Sequence, residues 1–301
     1  MSRRIFVDTA WNPKKNKNSK KYTGYDPDKD IFIEVNSLTE LKDYDEIYLD
    51  SPLFPNMWRQ LRELVSNGRK IYYFTRPWKW REVRQRFRED LKAKTGRVSK
   101  TDKGDAFLLS KVYELSLIKK NTKRYFRPLT IVDIELRPLL MREEVLYKNL
   151  QRIRNASIIG VDVESDVEIL EKRLKDVRRE IIDKATRLIP RFTDIAKNLG
   201  LDSEDINGLT GLAGELIYNR STSSYSSSVR FHGLYKAKGY DARRMKRYSD
   251  KAQRYLTMLT KAVLRKNGEQ RLPKYKDLRK VLWMVIKARK QMGLAGDGAG
   301  A

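Results

Sequence analysis

The chain contains no cysteine and a single histidine, His232. Disulfides, thiolate metal centres and a cysteine nucleophile are therefore excluded, and one imidazole cannot build a histidine-rich zinc site. No apolar run approaches the roughly 20 residues that a membrane-spanning helix needs, and the first residues hold no signal-peptide core. These absences predict a soluble, intracellular protein with no membrane partner. Acidic residues are also in short supply: 39 Asp and Glu stand against 65 Lys and Arg, a net charge of +26. That excess runs through nearly every segment and points to nucleic acid, bound by releasing counterions from phosphates. Charge alone does not separate this from a ribosomal-type or merely basic surface. At 301 residues and 40% hydrophobic content the chain can bury real cores, and its length suggests about two domains.

The first third alternates strand and helix patterns. Residues 3–8, 30–35, 47–49 and 71–74 read as strands, and residues 12–30, rich in Lys, Asn, Pro and Gly, as a solvated loop or hairpin. A helix over 55–67 is closed by Gly68, and an Arg-rich helix over 78–94 ends at Gly96. This alternation predicts an α/β domain. From Met141 onward the pattern turns helical, with Ile169, Leu170, Leu174, Val177, Ile181, Ile182, Leu188, Ile189, Phe192 and Ile195 at helical intervals and Pro190 marking a kink or restart.

Carboxylates recur at the ends of these elements. Asp8 closes Arg4-Ile5-Phe6-Val7-Asp8, Asp50 closes Glu46-Ile47-Tyr48-Leu49-Asp50, and Asp102 and Asp105 share one helical face at i, i+3. Four such groups converging on one site would suit Mg²⁺ or Mn²⁺, as in phosphoryl-transfer nucleases. Taken singly, each Asp also reads as a turn former, and Asp102 as a helix cap.

The order Asp8, Asp50, Lys100-Thr101-Asp102, Asp105-Ala106 resembles the DEDD transposases, bridge-RNA-guided recombinases of prokaryotic insertion sequences. The resemblance implies a ribonuclease H-like (RuvC-like) α/β domain over 1–130, a long helical linker over 131–200 and a mainly α-helical transposase domain over 201–301. It places Asp8, Asp50, Asp102 and Asp105 as catalytic metal ligands and Lys100 among the nucleic-acid-binding residues. DNA, a structured guide RNA, dimer or tetramer assembly and a cytoplasmic, nucleoid-associated setting are implied with it. The family's second acidic position is usually Glu; here it is Asp50, the alternative Glu46 lying at the start of its strand.

Further along, Ile206-Asn207-Gly208-Leu209-Thr210-Gly211-Leu212-Ala213 resembles the helix-hairpin-helix opening of the family's second domain, with Thr210 in place of the usual second Gly. Gly208 and Gly211 would then offer backbone N–H groups to phosphate, although a loop between core helices also favours Gly. Residues 219–228 read as a Ser-rich loop. Lys238, Arg243, Arg244, Lys246 and Arg247 form a basic segment before a helix over 249–266. The family's nucleophilic Ser follows a Gly-Leu pair, but Gly233-Leu234 is followed by Tyr235-Lys236-Ala237-Lys238-Gly239-Tyr240. Three readings stay open: Ser249 or a serine of 221–228 substitutes, Tyr240 attacks instead, or strand transfer is lost. Tyr240 also suits plain packing or base stacking. In the first domain, Trp78 and Trp80 beside Arg81 read as a surface pair that stacks bases, whereas Tyr72 and Phe74 read as strand core.

Overall fold

The computed structural model describes residues 2–9, 22–51, 57–75, 80–219, 225–237, 240–241 and 249–291. The chain divides into two compact units, Met1–Ile134 and Glu135–Ala301, the division falling near the start of a long helix.

In the first unit six strands, β1 (Arg4–Asp8), β2 (Tyr22–Asp26), β3 (Ile31–Val35), β4 (Glu46–Leu49), β5 (Lys70–Phe74) and β6 (Phe126–Pro128), form one mixed sheet in the order β3-β2-β1-β4-β5-β6. β1, β4 and β5 run parallel, with Val7 level with Leu49 and Leu49 with Tyr73. β2 and β6 pair antiparallel with their neighbours. Around the sheet lie a 3₁₀ turn at Leu38–Leu41 and helices α1 (Trp58–Ser66), α2 (Trp80–Arg86), α3 (Arg88–Thr95), α4 (Asp102–Ile118) and α5 (Thr122–Tyr125).

Strand side chains alternate between faces, and both faces are covered. Ile5, Val7, Ile47, Leu49, Ile71 and Tyr73 meet Leu38, Leu61 and Leu64 on one side. Phe6, Tyr48 and Phe74 meet Leu109, Val112 and Phe126 on the other. Two of the expected elements change. Residues 22–26, expected within a solvated loop or hairpin, pair antiparallel with β1 and β3 as a hairpin would but as the buried strand β2, where a Cβ on Gly24 would come within 2.6 Å of Ile5 Cδ1. The helix expected over 78–94 is broken at Phe87, which leaves helical angles and packs on the cluster of Tyr25, Leu91 and Phe107. Gly96 ends α3 in the left-handed region at φ +71°, a conformation a Cβ would strain.

The second unit is helical: α6 (Ile131–Ile158) supplies its residues from Glu135, followed by α7 (Glu164–Leu188), α8 (Phe192–Asn198), α9 (Ile206–Tyr218), α10 (Tyr225–Phe231), α11 (Asp250–Lys266) and α12 (Tyr275–Gln291). A short ribbon of β7 (Lys236–Ala237) and β8 (Tyr240–Asp241) lies between α10 and α11. Leu174, Val177 and Ile181 give α7 a buried face, and α7 packs on α9. Residues 135–200, expected as a linker, are grouped with this unit. At Pro190 the helix restarts: α7 ends at Leu188, Arg191 takes φ +56°, and α8 begins at Phe192.

Candidate active site

Alternation decides where the strand-end carboxylates face. Asp8 lies two residues beyond Phe6 and Asp50 two beyond Tyr48, so both belong to the face that Leu109 and Val112 of α4 cover. On α4, Asp105 lies one turn before Leu109 and two before Val112, on the same side of the helix. The packing of α4 against β1 and β2 thus carries Asp105 towards the carboxyl ends of β1 and β4. Asp8 and Asp105 are buried, at 2% and 5% exposure. The Asp50 N–H donates to the Val7 carbonyl at 3.1 Å, tying the two strand ends together.

Thr9 completes this corner. Its N–H donates to Asp50 Oδ1 at 2.9 Å, and its hydroxyl lies within hydrogen-bond reach of the same oxygen and of the Ser51 carbonyl. Burial pushes the Asp50 carboxyl above its ordinary range, the bonds from Thr9 and Ser51 oppose that, and the charge of Asp105 adds to the rise. Burial likewise raises Asp105 against Arg84 and Lys100, with Asp102 adding to the rise. Arg84 Nη2 donates to Asp105 Oδ1.

Asp102, unlike Asp8 and Asp105, is exposed. It occupies the first turn of α4, and the cap itself is Thr101, whose hydroxyl accepts from the Gly104 N–H at 3.0 Å. Among the described residues no group of three or more His, Cys, Asp and Glu is gathered closely enough to hold a metal ion. The donor chemistry still suits a divalent cation. Burial raises the proton affinity of both Asp50 and Asp105, and the charge of Asp105 adds to the rise at Asp50, the response a cation relieves. Asp8, Asp50 and Asp105 are the residues that would hold it. Glu46, at the other end of β4, bonds Arg4 Nε at 3.0 Å instead.

Of the other expected nucleic-acid contacts in this unit, Lys100 and Arg81 are exposed. Trp80 is half-buried, its ring centroid 5.1 Å from that of Phe74, so it packs onto the core instead of forming a surface pair; Trp78 lies outside the described residues.

In the second unit the expected helix-hairpin-helix segment is one continuous helix, α9. A Cβ on Gly208 would lie 2.7 Å from Ala262 Cβ, one on Gly211 2.6 Å from the Leu259 N atom, and one on Gly214 2.2 Å from the Tyr255 ring. Gly208 and Gly211 are spaced for close helix packing, and the expected phosphate-binding turn is absent. The expected loop over 219–228 gives way at Tyr225 to α10, within which Ser228 is buried. Ser249 caps α11, accepting from the Ala252 N–H at 3.2 Å, and for Tyr240 only the backbone, in β8, is described. Lys238, Arg243, Arg244, Lys246 and Arg247 lie outside the described residues.

Two buried ionic groups were not anticipated. Glu143, fully buried, accepts from Arg178 Nη2 at 2.8 Å, Arg254 Nη2 at 2.7 Å and the Tyr255 hydroxyl at 3.1 Å. Glu215 meets His232 Nε2 at 2.7 Å, with Asn219 Nδ2 at 2.6 Å, and both Glu215 and His232 are fully buried. The signal for the second pair was legible: one acid inside the apolar run Leu212-Ala213-Gly214-Glu215-Leu216-Ile217, and the only histidine of the chain.

No protein-family model matches the chain, and no curated protein matches it at a significant level. Among the described residues no helix is long and apolar enough to cross a membrane.

Proposed function

We propose that the protein is a DNA transposase or recombinase of the DEDD type that cleaves and exchanges DNA strands with a divalent metal at the carboxylates of its first unit. The observation that carries this reading is the placement of Asp8 and Asp50 at the carboxyl ends of adjacent parallel strands, on the face covered by the helix that brings Asp105. The six-stranded mixed sheet followed by helices is compatible with a ribonuclease H-like start. The net charge of +26 supports a nucleic-acid substrate. Mg²⁺ or Mn²⁺ at these carboxylates would supply charge neutralisation for phosphoryl transfer. Thr9 would fix the Asp50 carboxylate, and Lys100 would hold a substrate phosphate. A hydroxyl oxygen gives up its proton and forms the new P–O bond as the scissile P–O bond breaks, and the departing oxygen takes up a proton. The family resemblance adds a structured guide RNA and homo-oligomeric assembly to the proposal.

Incubation of the protein with branched and nicked DNA in Mg²⁺, and again in EDTA, tests this. Wild type is expected to cut only with metal, while Asp8→Asn and Asp105→Asn bind DNA without cutting it. Cleavage by Asp8→Asn at the wild-type rate would overturn the proposal.

A second reading, a nucleic-acid-binding protein descended from such an enzyme, is favoured by two observations: Arg84 already engages Asp105, and Ser249 is engaged as a helix cap. On that reading no variant or wild type cuts any substrate it binds. A stand-alone structure-selective nuclease would cut with the first unit alone and form no covalent protein–DNA adduct.

A further inference from the structure

Helix α12 carries a feature outside every residue assigned above. Leu278, Val281, Leu282, Val285 and Ala288 recur at helical spacing and bury one side of it. The opposite side exposes Lys276, Lys280, Trp283, Lys287 and Lys290, also three or four residues apart. At about 1.5 Å per residue this stripe runs roughly 21 Å.

A row of lysines alone is an ordinary solvated face. Here the row has an aromatic centre: Trp283 is 49% exposed, with Lys287 Nζ 5.1 Å from its ring centroid. Beside it an open groove of about 610 Å³ is lined by Tyr225, Tyr275, Lys276, Arg279, Lys280 and Trp283. Its walls are fixed from behind. Arg279 Nε donates to the Leu234 carbonyl at 3.1 Å, and the Tyr225 hydroxyl donates to the Arg279 carbonyl at 3.3 Å.

We propose that this face of α12 is a docking track for single-stranded nucleic acid, with an unpaired base stacked on Trp283 and the flanking phosphates held by Lys276, Lys280 and Lys287. Exposed aromatic rings interleaved with cations are what strand binding without sequence readout requires, since every base has a π-face and every linkage a charge. The same face of a second copy is a poor occupant, because Lys276, Lys280, Lys287 and Lys290 would meet their own like charges there. A bilayer is a poor one too, because the apolar side of α12 is spent on the protein core.

Fluorescence anisotropy with short oligo(dT), oligo(U) and a duplex of equal length tests the track on the full chain. Trp283→Ala is expected to weaken single-strand binding roughly tenfold and leave duplex binding unchanged, with Trp283→Phe restoring most of the loss. Lys276→Gln with Lys280→Gln should flatten the salt dependence of single-strand binding. Binding of either oligomer supports the track, and the tighter one identifies the strand as DNA or RNA. Unchanged single-strand affinity in Trp283→Ala, or equal losses on single strand and duplex, would overturn the proposal. Trp283 is surface-exposed, and circular dichroism of each variant verifies that the fold is kept. Asp8→Asn should bind the oligomers as wild type does, so failure at the carboxylate site and failure of the track are separable.

Discussion

Thr9 directs both its backbone N–H and its hydroxyl at one oxygen of Asp50, and these bonds hold the carboxylate against the cost of burying it. Because the folded chain keeps this proton to higher pH than the unfolded chain, stability falls as pH climbs from the ordinary carboxylate value through the raised one. Asp50→Asn retains an acceptor for Thr9 and removes the charge. Calorimetry in metal-free buffer is expected to show a higher melting temperature than wild type at neutral pH and little difference in acid; a lower one at neutral pH would refute the account of this corner. His232 has linkage of the same sign. Burial lowers its pKa, but the charge and hydrogen bond of Glu215 and the Ser228 carbonyl outweigh that and raise it. Its contribution is fully present below the unfolded histidine value and is lost as pH rises through the folded one. Glu215→Gln should therefore cost about 3 kcal/mol in mild acid and less at alkaline pH, as read by urea unfolding across that range.

At the level of elements, α9 and α11 approach closely because Gly208, Gly211 and Gly214 present no side chain to Ala262, Leu259 and Tyr255. Gly211→Ala gains roughly 1 kcal/mol of helix propensity. It also forces a Cβ to within 2.6 Å of backbone, so a net loss of about 1–3 kcal/mol is expected from denaturant unfolding. A variant as stable as wild type but weakened only in DNA binding would restore a phosphate-binding role to this glycine. The same segment marks where sequence reading stopped short. Glycines spaced by three fit a turn or a helix seam equally well, and only the partner Tyr255, 41 residues after Gly214, decides between them. By contrast, the strand ends at Asp8 and Leu49 were legible, because strand period is local, whereas the cap of α4 was read at Asp102 and is Thr101. Strand β2 was hidden, since Tyr22 and Tyr25 adjoin a Lys- and Asn-rich stretch. Arg84 was one arginine among several on its helices, and nothing local distinguishes the one that meets Asp105. The exposure of Asp102 was equally out of reach: i, i+3 spacing places it beside Asp105, but which of the two the sheet covers depends on how α4 lies on β1 and β2.

Over the whole molecule, the surplus of 65 basic over 39 acidic residues belongs to both units, and the two proposed roles draw on it differently. Affinity for duplex DNA should fall by orders of magnitude between low and moderate salt as several phosphates are neutralised together, and filter binding over a salt series checks this. A flat profile would remove nucleic acid from the account. The central proposal is narrower: Asp8, Asp50 and Asp105 would together bind a divalent cation in the first unit. Electron paramagnetic resonance of Mn²⁺ titrated into the full chain tests it most directly, because the free-ion signal disappears on binding whether or not a substrate is known. Wild type is expected to take up Mn²⁺ in competition with Mg²⁺, with that uptake lost in Asp8→Asn and Asp50→Asn and kept in Glu46→Gln. Uptake that persists unchanged in Asp8→Asn, or no uptake by the wild type even with DNA bound, would contradict the account.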